Sequence, residues 1–263
     1  MKRFLFLGCF ILISIHGLAS KILIPMDDSQ ANHLKAYGVT FWVLGNGVEA
    51  QWLLNYRGGS FMLPNINNIA EECVIRGVSF QVIADVQAAQ ILNEISDSEV
   101  NMESVKLEKS PKIAVYSPAG KLPWDDAVTL VLTYAEIPYE IVYDEEVLSG
   151  VLPKYDWLHL HHEDFTGQFG KFYKAYRTAS WYQDEVDSQN ASANFMGFQK
   201  VSEMKREVSL TLRNFVLGGG FLFTMCSGTD SFDIALAAQK VDICDPMFDG
   251  DPSDSQANSK LVF

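Results

Sequence analysis

Apolar residues come in short clusters along this chain, and in its second half those clusters alternate between two spacings. Ile113–Tyr116, Tyr139–Tyr143, Asp156–Leu160 and Phe221–Met225 are brief apolar runs bounded by turn formers, which is the signature of strands. Trp124–Ala135 and Val201–Leu217 repeat apolar positions every three or four residues and predict helices, and Val147–Leu152 predicts a short helix or turn. Gly218-Gly219-Gly220 ends the long helix. Strands alternating with helices predict a mostly parallel sheet with right-handed crossovers, over residues 113–263.

The first half is more broken. Lys21–Met26 predicts a strand, and Asp27, Asp28 and Ser29 offer caps for a helix around Asn32–Tyr37. Trp42–Leu44, Gln51–Asn55 and Ser60–Leu63 are apolar fragments interrupted by glycines and Pro64. Ile66–Ile75 and Asp85–Ile95 have helical spacing, and Val78–Ile83 predicts a strand. These elements form a smaller N-terminal α/β unit over residues 20–100. Ser96–Lys112 is polar and charged, so residues 101–112 are expected to link the units, or to form a surface loop of one continuous domain. After the helix that follows Cys226, Val241–Phe263 is rich in aspartate, whereas a doubly wound sheet continues with more strands. The second domain is therefore expected to be incomplete, its C-terminus truncated. The Asp249-Gly-Asp251-Pro-Ser-Asp254 run lacks the spacing of a calcium loop and is expected to be a solvated loop, and no metal or other cofactor is expected.

The N-terminus changes the picture of location. Lys2 and Arg3 precede an apolar stretch, Phe4–Ile15, that is too short to span a bilayer comfortably, and small residues at Gly17 and Ala19 suit cleavage after Ala19. Residues 1–19 are expected to be a signal peptide, with the mature chain periplasmic or extracellular and without an integral span. Losing Lys2 and Arg3 takes the net charge from −13 to −15. Such acidity argues against nucleic-acid partners, which need clustered Lys and Arg. It leaves an unknown small molecule or an envelope protein as the expected partner. Three cysteines remain in the mature chain, Cys73, Cys226 and Cys244; a Cys226–Cys244 disulfide is one arrangement the sequence allows, and it would remove Cys226 as a nucleophile.

The candidate chemistry lies where the strands end, because ligands bind at the carboxyl edge of open α/β sheets. Three such ends are Ser117–Gly120, His161-His162-Glu163-Asp164 and Cys226–Asp230. The last is a strand, a sharp turn and a helix with cysteine at the bend, where a helix N-terminus favours thiolate. The expected catalytic set is Cys226 as nucleophile, His161 or His162 as base and Glu163 as orienter. Ser117, Gly120, Ser227, Gly228, Thr229 and Asp230 are the expected ligand-binding residues, with Gly228 allowing the tight turn and Asp230 capping the helix. His159 shares the strand parity of His161, so those two are expected on one face.

Residues 112–240 resemble the class I glutamine amidotransferase-like superfamily. Thr224-Met225-Cys226-Ser227-Gly228 is similar to its Gly-x-Cys-x-Gly nucleophile elbow, with Thr224 in place of the first glycine. Asp156–Leu160 resembles the strand that leads to the family's oxyanion glycines, with His161-His162 standing there. The resemblance implies a flavodoxin-like, doubly wound sheet. The family's histidine follows its cysteine, and this chain has no histidine beyond His162, so that triad cannot be assembled from these residues. The mature chain is also similar to exported Bacteroidota proteins labelled asparagine synthetase B; Cys226-Ser-Gly-Thr-Asp-Ser231 resembles the ATP-binding Ser-Gly-Gly-x-Asp-Ser loop of true enzymes of that name. These residues fit three functions. The first is a diverged, inactive site that binds a ligand or partner in the envelope. The second is a cysteine-dependent amidase or hydrolase, and the third an ATP-dependent amide-forming enzyme.

Overall fold

The computed structural model describes residues 20–118, 127–169 and 172–263. The expected signal peptide, Gly120 and the start of the helix expected over Trp124–Ala135 lie outside the described residues. The protein is mixed α/β, with two compact units that meet in sequence between Lys109 and Ser110.

The first unit contains β1 (Ser20–Ile24), α1 (His33–Gly45), β2 (Ala50–Leu54), β3 (Ser60–Pro64), α2 (Asn67–Ile75), β4 (Gln81–Ala84), α3 (Asp85–Ile95) and β5 (Glu103–Leu107). Its sheet is antiparallel in the order β4-β1-β3-β2-β5. Side chains alternate across the strands. Ile22, Ile24, Phe61 and Leu63 pack on one face with Ala36, Val39, Ile69 and Cys73 of α1 and α2. Leu23, Leu53 and Met62 pack on the other with Ala88 and Ile95 of α3.

Two segments of this unit differ from the sequence expectation. Trp42–Leu44 is not a separate fragment but the last turn of α1, because Val39, Trp42 and Val43 keep helical spacing until the glycines at 45 and 47. The expected linker contributes a strand: β5 pairs with β2 from Ala50↔Leu107 to Leu54↔Glu103. An edge strand takes its ladder from backbone groups, which a polar sequence does not impair.

The second unit contains β6 (Ile113–Tyr116), α4 (Ala127–Ala135), β7 (Glu140–Val142), α5 (Asp144–Leu148), β8 (Trp157–Leu160), α6 (Tyr173–Tyr176), α7 (Ser180–Phe195), α8 (Val201–Leu217), β9 (Phe221–Thr224), α9 (Cys226–Ala237), α10 (Pro246–Asp249) and α11 (Ala257–Lys260). All four strands are parallel, in the order β7-β6-β8-β9, so the strand order reverses between β6 and β8. The register pairs Tyr116 with both Val142 and Leu160, and Leu160 with Thr224. The four carboxyl ends are therefore level, and Ser117, His161 and Met225 follow them along one edge of the sheet.

Helix α8 closes one face. Its buried positions, Val201, Met204, Lys205, Val208, Ser209 and Leu212, fall on one helical stripe. Val208 and Leu212 pack with Tyr116, Leu158, Leu160 and Phe165. One member of that stripe is a lysine. Lys205 Nζ lies 2.8 Å from Asp144 Oδ2 and donates to Tyr116 OH at 3.1 Å and Tyr143 OH at 3.2 Å. Tyr116 OH in turn donates to Asp144 Oδ1. Burial disfavours the charged form of Lys205, but the Asp144 carboxylate outweighs it, and the ammonium is held above its ordinary range. Burial and the same carboxylate raise the Tyr116 phenol, and burial raises that of Tyr143.

Candidate functional site

The chain turns sharply where β9 ends. Met225 is extended, at φ −134°, and serves as the N-cap of α9; Cys226 then has φ +52°, a left-handed conformation that costs a residue with a Cβ about 1–2 kcal/mol. Its thiol is exposed and free. Cys244 is also a free thiol, buried and donating to Gly167 O at 3.7 Å, so the two form no disulfide. Burial pushes the Cys244 thiol up to about 12 and the Cys73 thiol up to about 11, which leaves both largely unionised at neutral pH.

Strain at Cys226 has a measurable consequence. Cys226→Gly is expected to stabilise the fold by about 1 kcal/mol in urea unfolding, since glycine adopts positive φ without a Cβ clash. Cys226→Ala, which keeps the Cβ, is expected to give no such gain. Equal stability of the two variants would show that the turn stores no strain.

The first turn of α9 is built against the segment after β8. Gly228 N–H donates to His161 O at 2.9 Å, Ser227 Oγ–H to His162 O at 3.1 Å and Ser231 Oγ–H to Glu163 O at 2.8 Å. Gly228 is required by contact: a Cβ there would lie 2.4 Å from His161 O and 3.0 Å from its carbonyl carbon. Sequence-distant segments 161–163 and 226–231 are thus joined by three hydrogen bonds.

The imidazoles sit within this junction. Strand β8 ends at Leu160, so strict alternation no longer separates His161 from His162, and their Nδ1 atoms approach to 3.0 Å. Glu163 is buried, with Oε1 3.9 Å from His162 Nε2. His159 is buried below, its ring 6.3 Å from that of His161 and stacked at 5.6 Å on Phe223. Among the described residues Cys226 Sγ makes no hydrogen bond to either imidazole. The structure brings the backbones of the expected base and nucleophile together without joining their reacting atoms.

The remaining expected residues divide. Ser117 lies at the carboxyl edge, buried, with its N–H donating to Val142 O at 3.0 Å. Thr229 Oγ1–H donates to Thr224 Oγ1 at 3.1 Å, beside the bend. Asp230 does not cap α9: the helix begins at Cys226, which places Asp230 a full turn inside it, exposed. The C-terminal aspartates form more than a solvated loop, because Asp242, Asp249 and Asp251 gather around Lys200 Nζ, with Asp249 at 3.5 Å and Asp242 at 3.9 Å.

Sequence reasoning missed the Lys205–Asp144–Tyr116–Tyr143 cluster, whose Tyr116 ends β6 and lies beside the point where the strand order reverses. One signal was present: a lysine on the apolar stripe of a long helix, with Asp144 opening a helix right after a strand. No family model, curated protein or solved structure matches this chain.

Proposed function

We propose that the second unit is a flavodoxin-like domain of the class I glutamine amidotransferase-like type, with Cys226 as its reactive group in amide hydrolysis. The observation that carries this reading is the left-handed Cys226, whose exposed thiol stands at the bend between β9 and α9. A residue held at such a cost at a strand–helix turn is the arrangement of a nucleophile elbow. The strand order supports the fold: in chain order within the unit it is 2-1-3-4, the beginning of the flavodoxin-like 2-1-3-4-5, and the site lies next to its reversal.

In this reading the Cys226 thiolate attacks the carbonyl carbon of an amide. The amine leaves with a proton supplied by His161 or His162, and water then hydrolyses the thioester with the same imidazole as base. The Ser227 N–H, next after the nucleophile, is the oxyanion donor such an elbow offers. Glu163 orients His162. Substrate binding must bring an imidazole to the thiol, as catalytic hydrogen bonds often tighten only in the complex.

A second reading is favoured by one observation: the two imidazoles approach each other at Nδ1 while Cys226 Sγ bonds to neither. It makes the unit a diverged binding domain in the cell envelope, reached through the signal peptide. Among the described residues no helix is long and apolar enough to cross a membrane. The ATP-dependent reading gains no support, because residues 227–231 continue a helix and Gly228 N–H is committed to His161 O rather than open to a phosphate.

Iodoacetamide labelling of the mature protein against pH separates the first two readings, with Cys226→Ser as control. An activated thiol is expected to label at neutral pH much faster than free cysteine, and His161→Ala with His162→Ala is expected to slow it. Labelling that tracks an ordinary thiol and ignores both histidines would leave only the binding domain.

A further inference from the structure

We propose that His161 and His162 form a site for a divalent transition-metal ion of square-planar preference, copper(II) above all, held between their two Nδ1 atoms. Those atoms lie 3.0 Å apart. Imidazole–metal bonds of about 2.0–2.1 Å then enclose an angle of about 95° at the ion, close to that between neighbouring corners of a square. A tetrahedral ion needs the same atoms about 3.3 Å apart. The inference stands apart from the amidase reading. There one imidazole is a base for Cys226; here both are ligands, and the thiol takes no part.

Three features converge on these atoms. The pair follows β8 at the carboxyl edge of the sheet, beside the reversal of strand order between β6 and β8, where α/β sheets take their ligands. Its backbone is pinned before any ligand arrives: His161 O accepts the Gly228 N–H, His162 O the Ser227 hydroxyl and Glu163 O the Ser231 hydroxyl. A site held in advance loses less freedom on binding. The third feature is a carboxylate behind the ring. Glu163 is buried, and its Oε1 faces His162 Nε2 at 3.9 Å. That carboxylate favours the tautomer with the proton on Nε2, so Nδ1 presents its lone pair toward His161. Ligating histidines ordinarily turn their second nitrogen to such a carboxylate.

Two imidazole lone pairs at this distance repel each other unless a positive centre lies between them. A proton on one Nδ1 supplies it in the metal-free protein, through one hydrogen bond. A metal ion supplies it through two bonds. On binding, that proton moves to Nε2 of its own ring, so the neutral pair takes up the ion without net proton release. Both rings are partly exposed, His162 with 28% of its side chain, which gives an ion a path from solvent. Imidazole donors select copper(II) or nickel(II) over calcium and magnesium, which take oxygen. The aspartates around Lys200 offer oxygen alone and already hold an ammonium.

The test titrates copper(II) into the mature protein carrying Cys226→Ser, in which no exposed thiol reduces or ligates the ion. Calorimetry is expected to show one equivalent bound with a dissociation constant of about 100 μM or tighter. The electron paramagnetic resonance spectrum is expected to show coupling to two nitrogens. His161→Ala and His162→Ala, added singly with an unchanged circular dichroism spectrum, are each expected to weaken binding at least about tenfold and to leave coupling to one nitrogen. Asp242→Asn is expected to change neither readout. Weaker binding in the Cys226→Ser protein, a spectrum without two-nitrogen coupling, or full affinity in either histidine variant overturns the proposal. The amidase reading is read separately, from labelling of the thiol in the parent, so each fails without the other.

Discussion

Lys205→Met is expected to destabilise the second unit by about 3–5 kcal/mol, seen as a shifted midpoint in urea unfolding. Lys205 and Asp144 are 1% and 0% exposed, so removing the ammonium leaves a buried carboxylate with the Tyr116 phenol as its side-chain donor. That loss is a large part of the 5–15 kcal/mol that stabilises a typical domain. The double variant Lys205→Met, Asp144→Leu removes both charges and is expected to recover much of the loss, because an apolar pair of similar volume carries no desolvation cost. If the single variant were as stable as the parent, the pair would not hold α5 to α8.

The same cluster predicts lability in alkali. Lys205 has a folded pKa above its ordinary 10.5, so above that pH the unfolded chain releases a proton that the folded chain keeps. Tyr116 and Tyr143 are raised above 10.0, and Cys73 and Cys244 above 9.0, with the same consequence. In every case the folded state binds more protons than the unfolded state, so stability falls as pH rises. The fall is expected to begin near pH 9 and to steepen above pH 10, in urea midpoints measured across that range. Lys205→Met is expected to flatten the steeper part.

Gly228→Ala is expected to lower stability by about 1–3 kcal/mol and to alter Cys226 labelling. In an exposed helix the same change would stabilise by about 1 kcal/mol. Here the new Cβ meets backbone atoms of His161, which cannot swing aside as a side chain can. The first turn of α9 must then move off the 161–163 segment, stretching the Gly228 N–H to His161 O bond and shifting the thiol relative to both imidazoles. A variant as stable as the parent, with the labelling rate of the parent, would show that this close approach does not position the thiol.

These effects separate what was legible in the sequence from what was not. The local elements with strong periodicity were legible. Asp85–Ile95 and Val201–Leu217 form helices over the residues expected, and Ile113–Tyr116 forms a strand over the residues expected. The cysteine bend was legible too, because a short apolar run followed by small polar residues is a local pattern. Residues 103–107 were not, since an edge strand depends on an accepting neighbour, β2, far away in sequence. The capping role given to Asp230 failed for a similar reason: where α9 starts is decided by the turn at Cys226 and its contact with His161 rather than by the nearest capping residue.

By itself the sequence determined the alternation of strands and helices, the acidity of the chain, and the presence of a cysteine, two adjacent histidines and a glutamate at strand ends. These are properties of spacing and composition, readable within a window of a few residues. Only the tertiary structure decided that Gly228 lies against His161, that Cys226 adopts a left-handed conformation and that its thiol is not bonded to an imidazole. The burial of Lys205 between Asp144 and two tyrosines was decided there as well. Each of these depends on strand order and register, which bring together residues separated by tens of positions, and on close packing, which leaves room for one arrangement and not for its neighbours.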